Sequence, residues 1–566
     1  MRERMTVRRS IATVTLVGLI GVLSACVGIP SSGSVVVGPE INKGVTGEFQ
    51  FIPAGPVAGA SQEQILRGFI SAFTGPDGDY KVARQFLSSG FASTWDARNS
   101  VLVRTGGFTF ASIDPTRMSY SMKTMAAVDA TGGYTESTIP APQTLTFTFV
   151  KENKQWRISD APKGVVLAEG TFRSIFSPQT LYFLDPTLQS LVPDLRWFPA
   201  GTAATRIVNA LLVGPPPWLQ QGAVTSVFPA GTQLSPPRVV TVESGVAKVD
   251  LSNEALGAKD KERQLMRLQL ALSLSGVPSI RSVSITVNGS PYPISDPGSD
   301  LPELHPQVDA RPVVLQDGGF GYSAGGTVAA LDALSDEIVR VKPTAATVGS
   351  NGTVAAVLGE GGVYAVRKGR APALLVDKRP GLIAPTLDEY GYIWSVPQAN
   401  PTAIMVFDLD GKPHTIAQTL PADARVVSLA VSRDGARMAL LLATDAGPRL
   451  MVAAILRDPG QRYVPTTLGD PILDVVVDSG SAIGATWVDE LSVATLTAVG
   501  GTTSVEQFQI GGMRSTLGRP GDAIEIVGGN GIDSLRVLGA DHVVQLPRGS
   551  SWSSTEVKVD FIATQR

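Results

Sequence analysis

Apolar residues are spaced differently in successive stretches of the chain. Residues 11–23 form an uncharged, mainly apolar run. After Ser61-Gln62-Glu63-Gln64, a capping-box pattern, Ile65, Leu66, Phe69, Ile70 and Phe73 recur at helical spacing, which predicts a helix buried on one face. A second helical stretch ends near Phe91 and Trp95. Alternation then takes over in 145–150 (LTFTFV) and 155–158 (QWRI), predicting strands. Further on the order is strand, helix, strand, helix, strand. Strand 179–185 precedes a helix carrying Ile207, Val208, Leu211 and Leu212, stopped at Gly214-Pro215; strand 246–252 precedes a helix with Leu265, Leu268 and Leu272, ended by Gly276 and Pro278; strand 283–289 closes the set.

From Pro312 onward helical periodicity is nearly absent, and short β-like segments alternate with Gly, Asp and Pro. Gly352, Gly391, Gly435, Asp489 and Asp533 mark turn signals at intervals of 39, 44, 54 and 44 residues. Periods near 40 to 50 in an all-β region predict propeller blades, and the length from Pro312 accommodates six at about 42 residues each. The stretch 320–342 is the unmarked blade. The fold class is therefore multidomain: two α+β domains, over 60–170 and 174–296, followed by an all-β propeller of about six blades over 312–566. The Pro-rich stretch 298–312 reads as a flexible, protease-sensitive junction.

The N-terminus reads as an address. Arg2, Arg4, Arg8 and Arg9 precede the run 11–23, which at 13 residues falls short of the roughly 18 to 20 needed to span a bilayer. It ends in Leu23-Ser24-Ala25-Cys26, which resembles the bacterial lipobox. That resemblance implies a signal peptide over 1–25, and at Cys26 an S-diacylglyceryl thioether with an acylated amino group. Two or more acyl chains hold a protein on a membrane where one is marginal. Residues 26–59, rich in Gly, Ser and Pro, then read as a lipidated tether.

Composition narrows the chemistry. Lys and Arg number 47 against 50 Asp and Glu, so no basic field favours nucleic acid. Cys26 is the single cysteine, which excludes an internal disulfide and a thiolate zinc site. His305, His414 and His542 lie far apart with no metal-ligand spacing, and no nucleophile elbow, phosphate loop or dinucleotide fingerprint occurs. Asp250 and Ser252 read as a strand end turning into a loop. Asp408-Leu409-Asp410-Gly411 lacks the glutamate an EF-hand needs and reads as a hairpin turn. No catalytic, cofactor-binding or metal residue is assigned, and the chain reads as non-enzymatic.

The helices followed by strands, with KQWRISDAPKGVVL at the end, resemble the NTF2-like fold. The segments LYFLD, NALLVGPP, VAKVDLS and LQLALSLSGVPSIRSVSITVNG resemble the GerMN domain, and VVSLAVSRDGARMALLLAT resembles a WD40-like blade. Lipobox, NTF2-like unit, GerMN unit and propeller in that order resemble the actinobacterial lipoprotein LpqB family. The resemblance implies a lipid-anchored protein on the extracytoplasmic face of the cell membrane. It also implies an accessory role at the sensor domain of a histidine kinase of the MtrA–MtrB type, influencing envelope homeostasis and division. The alternative is an envelope enzyme or glycan-binding lipoprotein using the propeller mouth. The sequence sets no oligomeric state.

Overall fold

Ser61 starts the first helix as its pattern predicts: its side chain accepts from the Gln64 amide, and Gln64 reaches back to the Ser61 amide. The computed structural model describes residues 53–566 apart from 221, 297, 299, 300, 325, 478 and 479, so Leu23, Ser24, Ala25 and Cys26 lie outside the described residues. Helix Gln62–Ser71 buries Ile65, Leu66 and Phe69, with Phe69 against Phe73 and Trp95 at ring separations of 4.8 and 5.1 Å. The short helices Asp77–Arg84 and Ser89–Ala92 follow. A five-stranded sheet completes this unit, in the order Gln155–Asp160, Tyr134–Glu152, Arg117–Asp129, Ser100–Asp114, Val165–Ala168. In Arg117–Asp129 every second residue from Met118 to Val128 is buried, the period-2 signature of a sheet with one covered face. Register shifts at Val103/Arg104, Thr105/Phe108 and Thr124/Ala126 bend the long strands around the helices.

The second unit keeps the predicted strands and helices and adds the strands Leu191–Pro199, Thr241–Glu243 and Ser290–Pro291. Strand Phe176–Leu184 does not join the other strands; it pairs with Leu191–Pro199 as a separate hairpin. Leu191–Pro199 escapes sequence reading because all nine residues are buried, which removes alternation, and because Pro193 and Pro199 look like breakers. The remaining sheet runs Ser290–Pro291, Ser282–Val287, Val246–Leu251, Thr241–Glu243. Val246–Leu251 and Ser282–Val287 are parallel, joined by helix Asp260–Leu274, the crossover that parallel strands require. Helix Ala203–Val213 stops at Gly214, whose φ of 100° ends it before the proline run.

The third unit is a ring of six four-stranded blades, two of which are joined into one eight-stranded sheet by the parallel pairing of Phe561–Gln565 with Ala345–Val348. Five are contiguous in sequence, and their first strands, Ala345–Val348, Thr386–Leu387, Arg425–Val431, Ser481–Trp487 and Ala523–Val527, line the central channel. The sixth channel strand, Phe561–Gln565, pairs with Val313–Gln316 from the opposite end of the propeller, which closes the ring and removes two sheet edges. All five turn markers fall in the loop after a channel strand. The sixth blade is unmarked because its channel strand is borrowed and no such loop exists. The stretch 320–342 is not purely β: helix Ser335–Arg340 follows its strands and buries Ile338.

Candidate functional site

The five loops after the channel strands share one face, and buried charges hold them in shape. In Ser432-Arg433-Asp434-Gly435 the Asp434 carboxylate accepts from Ser432 Oγ at 2.5 Å and from the Ala436 amide at 2.9 Å, and pairs with Arg437. Arg437 is fully buried, its guanidinium 5.1 Å from the Trp487 ring. Asp388, equally buried, accepts from the Tyr392 amide (2.8 Å), Trp394 Nε1 (3.1 Å) and Arg457 (2.8 Å). Arg457 also donates to the Gly435 carbonyl at 2.8 Å, tying one blade loop to the next. Such pairs contribute little net stability but fix geometry, because losing one partner leaves the other charge buried alone.

Onto this face dock the two preceding units. Tyr390 donates its hydroxyl to Asp185 at 2.8 Å, and burial together with that carboxylate pushes the phenol above its ordinary range. Asp185 also accepts from the amides of Gln189 and Ser190, so the hairpin turn and the propeller share one carboxylate. Residues 298–312 are bound along their second half, which revises the expectation of a loose junction. Glu303 bridges to Ser190; Val308 and Asn530 exchange hydrogen bonds of 3.0 and 2.8 Å; Arg433 donates to the Pro306 carbonyl; His305 pairs with Glu490. At the other end Trp197 joins all three units. Its ring lies 5.1 Å from Phe172 and 5.5 Å from Tyr134, its amide donates to Gly132 (2.8 Å), and its Nε1 donates to Gly511 (2.9 Å). Gly132 and Gly511 have φ of 91° and 71°, and a Cβ at either would stand 2.6 Å from an atom of the hairpin, so the close approach depends on glycine.

The channel is a cavity of about 160 Å³. Its polar lining is mainly hydroxyls, among them Thr347, Ser428 and Thr486, with Glu525 and the guanidinium groups of Arg433 and Arg566. Glu525 accepts from the Ile562 amide at 3.0 Å and keeps some surface open to the channel, but its depth in the protein pushes its acid up to about 7. Arg566, 4% exposed, donates to Thr386 Oγ1 at 2.7 Å, and burial followed by the Arg433 charge lowers it to about 9. Chemically this is a narrow neck with one carboxyl side chain near neutrality.

The other residues singled out by sequence are spent on structure. Asp250 accepts from Thr286 Oγ1 (2.6 Å) and the Gly289 amide (2.8 Å), which hold its carboxyl below the usual range despite some burial. Ser252 accepts from the Gln233 amide. Asp408 accepts from the amides of Asp410 and Lys412 in a hairpin turn, while Asp410 pairs with Arg367 and Arg370. His305, His414 and His542 are not brought together, and among the described residues no group of three His, Cys, Asp or Glu is placed to hold a metal ion. Sequence reading missed Tyr390, Asp185 and Trp197, whose roles depend on partners up to 314 residues away.

Comparison with known proteins follows the same three-part division. Residues 55–173 match the family described as Lipoprotein LpqB, N-terminal domain; 180–293 match Sporulation and spore germination; 321–560 match the Lipoprotein LpqB beta-propeller domain. Relatives named Lipoprotein LpqB include those of Bifidobacterium longum, 26% identical over 76% of this chain and 75% of the relative, and Nocardia farcinica, 25% identical over 85% of each. The Mycolicibacterium smegmatis relative is 30% identical over half of each chain. Among solved structures, the first GerMN domain of the sporulation protein GerM from Bacillus subtilis is 22% identical, over 23% of this chain and 94% of that one, with a TM-score of 0.18. TolB from Acinetobacter baumannii is 13% identical over 43% and 65%, with a TM-score of 0.31. With a GerMN match flanked by the N-terminal and propeller domains of one and the same lipoprotein, and relatives of that name aligned across most of its length, the chain belongs to the lipoprotein LpqB family.

Proposed function

We propose that this surface lipoprotein is a non-enzymatic accessory protein on the extracytoplasmic face of the membrane, binding the sensor domain of a histidine kinase of the MtrA–MtrB type and thereby tuning envelope homeostasis and division. The observation that carries the reading is the joining of three units into one hydrogen-bonded block, through Trp197, Tyr390 with Asp185, and Asn530 with Val308. A block of this kind presents a preorganised surface, which lowers the ordering cost of binding. A lipid anchor at Cys26 confines protein and kinase to one membrane and raises their effective concentration without adding a contact, so a weak interface suffices.

The test is co-purification of the full-length chain with the kinase sensor domain in membranes, beside incubation with peptidoglycan fragments. The natural chain should retain the sensor domain, and Cys26→Ala should lose most of it at cellular concentrations. Retention or turnover of peptidoglycan fragments without sensor binding would replace this reading by a glycan-binding or enzymatic one. Glu525, the one near-neutral acid in the channel, is then the first residue to substitute.

A further inference from the structure

A cleft of about 800 Å³ lies where the N-terminal unit meets the start of helix Ala203–Val213 and the loop before strand Thr241–Glu243. Four arginines line it, Arg98, Arg196, Arg206 and Arg238, and no carboxylate does. The acids nearby are largely spoken for. Asp79 is shared between Arg84 and Arg98, and Asp194 is paired with Arg196. Arg206 is half-buried and makes no hydrogen bond or ion pair with any described residue; burial, then the neighbouring Arg98 charge, push its guanidinium below the ordinary value. Arg196 is 3% exposed: its Nε donates to Asp194 and one Nη to the Thr131 carbonyl, while the other Nη has no partner. Arg238 sits at φ 63°, a backbone state that costs a non-glycine residue and is common where a side chain is held for function.

Two further features define what fits. The turn Ala200–Thr202 and the start of the helix it feeds line the cleft, and no side chain caps that start, so the positive end of the helix is presented to an anion. Beside the arginines, Val239 and Val242, 53% and 36% exposed, line the same cleft near the helix start, where the Val240 amide donates to Thr205 Oγ1, and Val213, 82% exposed, lines it at the far end of the helix. We propose that this cleft binds an organic phosphate ester, the phosphate held by Arg98, Arg206 and Arg238 at the helix start and the carbon part lying on Val239 and Val242. Guanidinium forks match phosphate oxygens two at a time, and several forks around one group favour phosphate over a carboxylate with its two oxygens and single charge.

The test uses the full-length chain in a non-ionic detergent and phosphate-free buffer, titrated calorimetrically with hexyl phosphate. Saturable binding is expected. Inorganic phosphate and hexanoate should each bind at least about tenfold more weakly, the first lacking the apolar part and the second the phosphate. Arg206→Gln and Arg238→Gln should each weaken hexyl phosphate about 10- to 100-fold, the loss expected for a hydrogen-bonded charge. Arg67→Gln, outside the cleft, should leave it unchanged. Because Arg206 is half-buried and makes no hydrogen bond or ion pair with a described residue, Arg206→Gln should melt no lower than the natural chain, which separates a binding role from a structural one. Vesicles of phosphatidylglycerol supply the second arm: competition between vesicles and hexyl phosphate assigns the group to a lipid headgroup, and its absence assigns it to a soluble ester. No saturable heat at millimolar hexyl phosphate overturns the proposal, as does equal binding of hexanoate or of inorganic phosphate. Affinity that survives both arginine substitutions overturns it too.

Discussion

Trp197 is the side chain on which three units converge, and removing it gives the sharpest test of their coupling. The indole is 7% exposed, packed between Phe172 and Tyr134 of the N-terminal unit, with Nε1 bonded to Gly511 of the propeller. Trp197→Ala removes the ring from a packed site, a loss of about 3 to 5 kcal/mol. Trp197→Phe keeps most of the packing and breaks the bond to Gly511, costing about 1 to 3 kcal/mol if that carbonyl stays buried. For a unit of this size 1 kcal/mol moves the melting midpoint by about 3 to 6 °C, so Trp197→Ala should lower the N-terminal transition on the order of 10 to 30 °C. The natural chain should melt with its first two units in one transition, because they share the Trp197 site. The alanine variant should split that transition in calorimetry, while the propeller's own midpoint moves little, since its six blades close on themselves. A single transition displaced by less than about 2 °C would refute the convergence, and equal shifts for alanine and phenylalanine would show that the Gly511 bond, not the ring, carries the coupling.

Cys26→Ala should leave the precursor uncleaved and abolish incorporation of a fatty-acid probe; labelling that persists would sink the lipobox reading. Asn530→Ala removes both hydrogen bonds to Val308, so limited proteolysis should cut within 298–312 several-fold faster than in the natural chain, and an unchanged rate would mean that other contacts pin this segment. Burial raises Glu525 from 4.5 to about 7 in the fold, so its contribution to stability is fully present below about pH 4.5 and is lost as pH rises to 7, on the order of 2 to 3 kcal/mol. Glu525→Gln, whose amide oxygen can still accept from Ile562, should flatten that decline and melt higher than the natural chain at pH 8; parallel decline of both between pH 5 and 7 would count against it.

What was legible in the sequence was what repeats or is local. The capping box at Ser61 works within four residues, and the five propeller markers recur because each blade turns at the same place after its channel strand. Six blades could be counted from length alone, yet the blade without a marker could not be explained. Its channel strand, Phe561–Gln565, comes from the other end of the ring, and closure is a property of the whole chain. The hairpin strand Leu191–Pro199 was invisible for the opposite reason: burial on every side erased the alternation that announces a strand. The same burial made it the place where Trp197, Asp194 and Arg196 meet neighbours from both flanking units. Histidines, Asp250 and the Asp408 turn drew attention because chemistry often uses such residues, but in this fold the two carboxylates accept from nearby amides and a hydroxyl, and His542 Nδ1 donates to the Val559 carbonyl. The Arg98, Arg206 and Arg238 cleft drew none, since arginines scattered over 141 positions look like ordinary solubilising charge. Only the docking of one unit on another shows that they face a common space without carboxylates, and an unpaired charge kept in such a space costs stability that a ligand can return.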